Sequence, residues 1–263
     1  MREQRLVFGE VAELYDRARP SYPEELIEVV LSYCTSGGVS PGRVLEVGAG
    51  TGKATGALAR RGLEIVALEP DPAMAAVARR RCLPYPGVRL EETSFEDWDP
   101  PARPFSLVLS AQAWHWVDRE VRCAKAGAVL EPGGVLALLW HRLRWEGEPM
   151  HDDLADLYRR LEPHLYERAG FPGLGIARSG QGALEEIEAS PLFTEPTVAS
   201  HRWRTALGPR EFTDLLLTQS DHRLLPDDRR TRLLDAVAAI VAGQEGAKIE
   251  VPYETYAVMA RRR

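Results

Sequence analysis

The 263-residue chain has no asparagine and only three lysines, Lys53, Lys125 and Lys248; arginine supplies the rest of its positive charge. That bias fits a GC-rich genome and equally fits selection against thermolabile residues. Three cysteines, Cys34, Cys82 and Cys123, lie far apart with no C-x-x-C or zinc-like spacing. A disulfide framework and a zinc cluster are therefore not expected, and the thiols read as reduced and structural. No metal is expected. The longest strongly apolar stretch, Val135 to Trp140, is too short to span a bilayer. Met1 to Glu10 lacks the apolar core of a signal peptide, so a cytoplasmic protein is expected. Positive charge is in deficit: the net charge of −6 argues against nucleic-acid or membrane-surface binding by bulk electrostatics.

What the chain does have is a globular composition, 44% hydrophobic and 27% charged. Its length accommodates one large domain, or a core with a lid. Residues 9–18 and 23–34 read as helices, the second opening on Pro23, Glu24 and Glu25. Strands and helices then alternate: strand 43–48, helix 52–61, strand 64–68, helix 71–81, strands 87–92 and 105–110, helix 119–130, strand 133–141. The pattern predicts βαβ units and an α/β fold. Asp152 to Arg168 carries a helical apolar stripe, and Gly170 to Gly175 reads as irregular. Thr197 to Ala206 predicts a sixth strand. Glu211 to Thr218 and Asp228 to Ala242 predict helices, and Lys248 to Arg261 a last, antiparallel strand. The expected division is a core of residues 1–141, 192–206 and 247–263, with a helical lid of 142–191 and 207–246.

The most informative segment is Glu46-Val47-Gly48-Ala49-Gly50-Thr51-Gly52, where an apolar strand breaks into glycines at alternate positions and then into a helix. A glycine-rich strand-to-helix turn lets the backbone approach a ligand closely. Glu69, after the second strand, is placed to accept hydrogen bonds from both hydroxyls of a ribose. Pyrophosphate cofactors fit poorly here. Their fingerprint is G-x-G-x-x-G, and a carboxylate two residues before the first glycine would repel a pyrophosphate. Glu46 instead suits a nucleoside that carries an ammonium group, as S-adenosylmethionine does.

The segment resembles the first motif of the class I S-adenosylmethionine-dependent methyltransferases. Leu68 to Met74 resembles their ribose-binding segment, Phe105 to Ser110 their fourth strand, and Leu130 to Leu136 the turn into their fifth. Tyr15-Asp16-Arg17-Ala18-Arg19-Pro20-Ser21-Tyr22-Pro23 and Ala113-Trp114-His115-Trp116-Val117 are similar to the small-molecule branch that includes trans-aconitate methyltransferase. The resemblance implies a Rossmann-like, seven-stranded, mostly parallel sheet with an antiparallel last strand. It implies S-adenosylmethionine as cofactor and a small-molecule methyl acceptor.

The expected cofactor-binding residues are Glu46, Gly48, Ala49, Gly50, Thr51, Gly52, Glu69 and Pro70, then Ser94 and Phe95 after strand three and Ser110, Ala111 and Trp114 after strand four. Tyr15 and Arg19 join them from the N-terminal segment, which folds over the cofactor in similar enzymes. Family members often carry an acid where Ser94 stands. Asp71, ahead of Pro72, reads as a helix cap. His115 and His141 are the candidate general bases. Two other readings remain open: a module that binds the cofactor without transferring methyl, and a nicotinamide-dependent oxidoreductase.

Overall fold

A computed structural model describes residues 11–148, 150–169 and 174–263. Seven strands form one sheet: β1 (Arg43–Val47), β2 (Glu64–Leu68), β3 (Val88–Glu91), β4 (Phe105–Ala111), β5 (Leu130–Leu143), β6 (Thr197–Leu207) and β7 (Ile249–Arg261). Their order is β3-β2-β1-β4-β5-β7-β6. The first five run parallel, and β7 lies antiparallel between β5 and β6. The expected antiparallel last strand is present and sits inside the sheet, not at its edge. Strand order reverses between β1 and β4, so a crevice opens there beyond the strand carboxyl ends.

The central strands are covered on both faces, which is why they read as nearly continuous apolar runs. On one face Val44, Ile65, Leu107 and Leu139 pack against α2 (Glu24–Ser36) and α3 (Lys53–Ala59). On the other, Leu45, Val66, Val108 and Leu138 pack against α5 (Arg119–Val129) and α8 (Leu174–Ala189). The remaining N-terminal helices are α1 (Ala12–Ala18) and α4 (Pro72–Cys82). Asp71 caps α4, its Oδ1 accepting from the Ala73 and Met74 amides at 2.9 and 3.0 Å. Replacing it by alanine should lower stability by about 1 kcal/mol in urea denaturation; an unchanged midpoint would contradict the cap.

A separate apolar cluster lies beyond β5. Leu154 and Leu157 of α6 (His151–Leu161), Phe212 and Leu216 of α9 (Pro209–Leu217), and Leu233 and Val237 of α11 (Asp227–Ala242) pack over Val251 and Tyr253 of β7. α7 (Pro163–Ala169) and the one-turn α10 (Ser220–Arg223) complete the region.

Three expectations change. The helix expected from Asp152 to Arg168 is two, α6 and α7, because Pro163 cannot continue a helix but can open one. Leu174 and Gly175 belong to α8 and not to an irregular stretch, of which 170–173 lie outside the described residues. Ala183 and Ile187 bury α8 against the sheet. The turn expected from Leu130 to Leu136 lies inside β5, interrupted by a bulge: Phe105 pairs with Leu130, but Leu107 pairs with Val135. Among the described residues no helix is long and apolar enough to cross a membrane.

Candidate active site

The crevice between β1 and β4 holds a cavity of about 1420 Å³. Its floor begins at the loop after β1. Gly48, Gly50 and Gly52 all have positive φ, of 73°, 58° and 78°. At Gly48 the requirement is also spatial, since a Cβ would stand 2.3 Å from the Ala113 Cβ. The Gly48 and Ala49 amides both donate to the Leu68 carbonyl at 2.9 Å, tying the loop to the end of β2.

Two carboxylates meet this loop. Glu69 Oε2 accepts from the Gly50 amide at 2.7 Å, and Oε1 accepts from the Asp71 amide at 2.9 Å. The carboxylate thus ties the glycine loop to the turn after β2 at the cavity wall. Glu46 is 1% exposed, and its Oε2 has no hydrogen-bond partner. Burial pushes its carboxyl up to about 8, and the charge of Glu69 adds to the shift. The Glu46 carboxyl thus lies buried in the cavity wall.

Of the other residues expected in the site, Thr51, Pro70, Ser94, Phe95, Ala111, Tyr15, Arg19, His115 and His141 line this cavity. The N-terminal segment is clamped over it. Lys53 Nζ donates to the Asp16 carbonyl at 2.7 Å, while Arg19 Nε donates to Thr218 Oγ1 at 2.7 Å and its Nη2 to the Thr218 carbonyl at 3.0 Å. Ser94 Oγ donates to Asp97 Oδ2 at 2.7 Å.

Three expected residues do not reach the cavity. Ser110 is fully buried in β4, where its hydroxyl donates to the Val47 carbonyl at 2.8 Å. Trp114 is 0% exposed and packs beside Phe95, its carbonyl held by Arg122. The tight turn Trp114–Trp116 points its two tryptophans differently, and Trp116 takes the cavity position. Gly52 opens α3, where a Cβ would press on Ala78 of α4 at 3.2 Å; its role is close helix packing.

The two histidines do not carry the properties of bases. Burial, helped by the Arg122 charge, pushes His115 down to about 4. Burial, with Arg19 and Lys53, pushes His141 down to about 3. A general base works best with a pKa near the operating pH, and both imidazoles fall well below it.

The cavity also includes residues beyond the expected set: Tyr22, Lys53, Gln112, Gln219, Ser220 and Asp221. Gln112 follows β4 directly and adopts a positive φ of 61°, uncommon for a non-glycine residue. Gln219 to Asp221 arrive from the α9–α10 junction, and no local pattern in that stretch marks it as part of a site. Asp221 Oδ1 accepts from the ring Nδ1 of His222 at 2.8 Å, and His222 Nε2 meets the Tyr158 hydroxyl at 2.6 Å, fixing this junction to α6. Among the described residues no His, Cys, Asp and Glu cluster could hold a metal ion.

Residues 44–134, from β1 through the β5 bulge, match the family described as a methyltransferase domain. An uncharacterized methyltransferase of Mycobacterium tuberculosis is 34% identical over 268 residues, spanning 98% of this chain and 97% of its own length. A solved structure described as a candidate type II methyltransferase from Anaeromyxobacter dehalogenans superposes with a TM-score of 0.62 at 25% identity, covering 92% of this chain and 97% of its own. A second, from Anabaena variabilis, shares the fold with a TM-score of 0.55 at 19% identity, covering 92% of this chain and 98% of its own. Agreement in sequence over nearly the full length, on a sheet of this order with a glycine loop after β1, means that the chain belongs to the class I methyltransferase family.

Proposed function

We propose that the protein transfers a methyl group from S-adenosylmethionine to a small-molecule acceptor. The observation that carries the reading is the pair of acids on one cavity wall, Glu69 bracing the glycine loop and Glu46 with a spare buried oxygen. In this reading Glu46 takes the cofactor's ammonium and Glu69 its ribose hydroxyls, while the loop from Gly48 to Thr51 lies along the aminoacyl part. When bound, the cofactor supplies a methyl carbon already activated by an adjacent sulfonium. The chain's task is then to align the acceptor and exclude water. Tyr15 and Arg19 line the wall together with the Gln219–Asp221 turn, to which Arg19 is tied through Thr218. α6, α9 and α11 act as the lid that selects the acceptor, whereas α8, expected in the lid, packs on the sheet and belongs to the core. The net charge of −6 favours a small molecule over nucleic acid or a membrane. A cytoplasmic setting fits this chemistry.

A nicotinamide cofactor is the weaker alternative, because its pyrophosphate would lie against Glu46. Thermal unfolding with a cofactor panel separates the readings. A ligand at 100 times its Kd adds about 2.7 kcal/mol to stability. S-adenosylmethionine and S-adenosylhomocysteine should raise the midpoint, and NAD and NADP should leave it unchanged; the reverse pattern would overturn the proposal. Labelled-methyl transfer to a metabolite pool then distinguishes an enzyme from a module that only binds.

A further inference from the structure

The wall that the α9–α10 junction gives the cavity carries one carboxylate, Asp221. Its Oδ1 accepts from the backbone amide and from the ring Nδ1 of His222, each at 2.8 Å. An ionised carboxylate only accepts, so Nδ1 carries a hydrogen. His222 is 1% exposed, and its Nε2 meets the Tyr158 hydroxyl of α6 at 2.6 Å. Oδ1 is therefore committed, and the buried relay behind it fixes how the carboxylate lies. Oδ2 makes no hydrogen bond to the described residues and is not sealed in, since the side chain is 22% exposed. Against the desolvation of partial burial, the hydrogen bonds from His222 and the Arg19 charge hold the carboxyl below its ordinary range. Asp221 thus presents an accessible negative oxygen at a cavity wall.

The cations that line the same cavity are engaged by the protein's own oxygens. Arg19 is bound twice to Thr218. Lys53 donates to the Asp16 carbonyl and lies 3.8 Å from its carboxylate. Arg122 donates from Nε to both Glu186 oxygens at 3.0 Å, and Arg119 approaches the same carboxylate at 3.9 Å. Elementary chemistry then separates the acceptors. Methylating a hydroxyl leaves a proton to remove, and neither His115 nor His141 is suited to take it. Methylating a neutral amine leaves a positive charge on nitrogen, which calls for a fixed anion and no base.

We propose that the methyl acceptor is an amine and that Asp221 Oδ2 holds it by accepting a hydrogen bond from its N–H. The proposal rests on the methyl-transfer reading for the reaction, while the preference for an amine rests on Asp221 itself. The acceptor reacts as the free amine, its ammonium proton left in bulk water. The nitrogen lone pair forms the new N–C bond, and the C–S electron pair goes to sulfur. Positive charge passes from sulfur to nitrogen, and no proton moves in the step. A fixed negative oxygen beside the nitrogen attracts it more strongly as that charge develops, so it favours the transition state over the ground state. A carboxylate acceptor would bring like charge to Asp221 and be rejected.

The test is calorimetry on protein saturated with S-adenosylhomocysteine, with benzylamine, benzyl alcohol and benzoate as probes of similar shape. Protonated benzylamine carries the charge of the methylated product. It should bind about tenfold or more tightly than either of the others. Asp221→Asn keeps an oxygen for His222 and removes the charge. The variant should lose about tenfold or more in benzylamine affinity. Its affinities for benzyl alcohol and S-adenosylhomocysteine should stay within a factor of about two of the parent's. Labelled-methyl transfer to a metabolite pool should place the label in amine products. The proposal is overturned if benzylamine does not bind, if benzyl alcohol or benzoate binds as tightly, or if the Asn variant binds benzylamine as the parent does. Loss of all the ligands together in that variant would make Asp221 a prop for its turn, and also overturns it. Failure of S-adenosylhomocysteine to bind the parent would instead strike the methyl-transfer reading. The benzylamine preference, measured again without the nucleoside, then stands or falls separately.

Discussion

Replacing Glu69 by alanine should weaken S-adenosylmethionine binding about a hundredfold, near 2.7 kcal/mol. The carboxylate contributes in two ways. In the proposed complex its oxygens would accept from the ribose hydroxyls, and hydrogen bonds to a charged group contribute about 1.5–3 kcal/mol each. Its occupied lone pairs hold the Gly50 and Asp71 amides, so it also sets the shape of the loop against which the ligand lies. Glu69→Gln separates the two effects. The amide keeps one acceptor oxygen for one of these partners and should lose about tenfold, between parent and alanine. Isothermal calorimetry with S-adenosylhomocysteine measures both variants. An alanine variant that binds within a factor of about two of the parent would remove the ribose assignment.

Binding of S-adenosylmethionine should strengthen as pH rises from about 6.5 to 7.5, by several-fold and approaching tenfold, with release of a proton. The sign follows from Glu46. Burial holds its carboxyl protonated up to about 8 in the free protein. A bound ammonium beside it favours the ionised form and lowers its pKa by about 1–3 units. Between the two values the complex holds one proton fewer than the free protein, so raising pH favours the complex. The same group acts oppositely on the free fold. A raised carboxyl pKa means that the folded state binds more protons than the unfolded chain above the ordinary value near 4.5, so Glu46 lowers stability as pH rises from there to about 8. The maximal slope is about 1.4 kcal/mol per pH unit for one proton. Glu46→Gln should flatten both dependences and weaken binding at pH 7.5 by about tenfold, since a neutral amide replaces the ion pair. Calorimetry in buffers of different ionisation enthalpy counts the proton. If the glutamine variant keeps the parent's slope, Glu46 is not the titrating group.

The glycine-loop wall of the cavity was legible in the chain because its parts are local. A strand, three alternate glycines and a helix lie within residues 43–59, and the second acid follows one strand later. Backbone conformation decides that arrangement, and glycine is the residue that permits it at φ near +73°. The sheet was legible for the same reason, since alternating strands and helices admit few topologies. The α8 helix was missed because its pattern is a few small residues, and packing of Ala183 and Ile187 on the sheet supplies what periodicity does not.

By itself, then, the sequence determined the sheet, the glycine loop and the two acids beside it. Only the tertiary structure decided which side chains after β4 and β5 face the cavity. Trp114 and Ser110 turn inward while Trp116 turns out, because the side to which a residue points depends on the local twist of a short turn and on what fills the neighbouring layer. His141 gains its buried partner Thr255, which also accepts from Trp203, only across strands distant in sequence. A proton's position on an imidazole is set by its partners across the sheet, and those partners exist only once β5, β7 and β6 have paired.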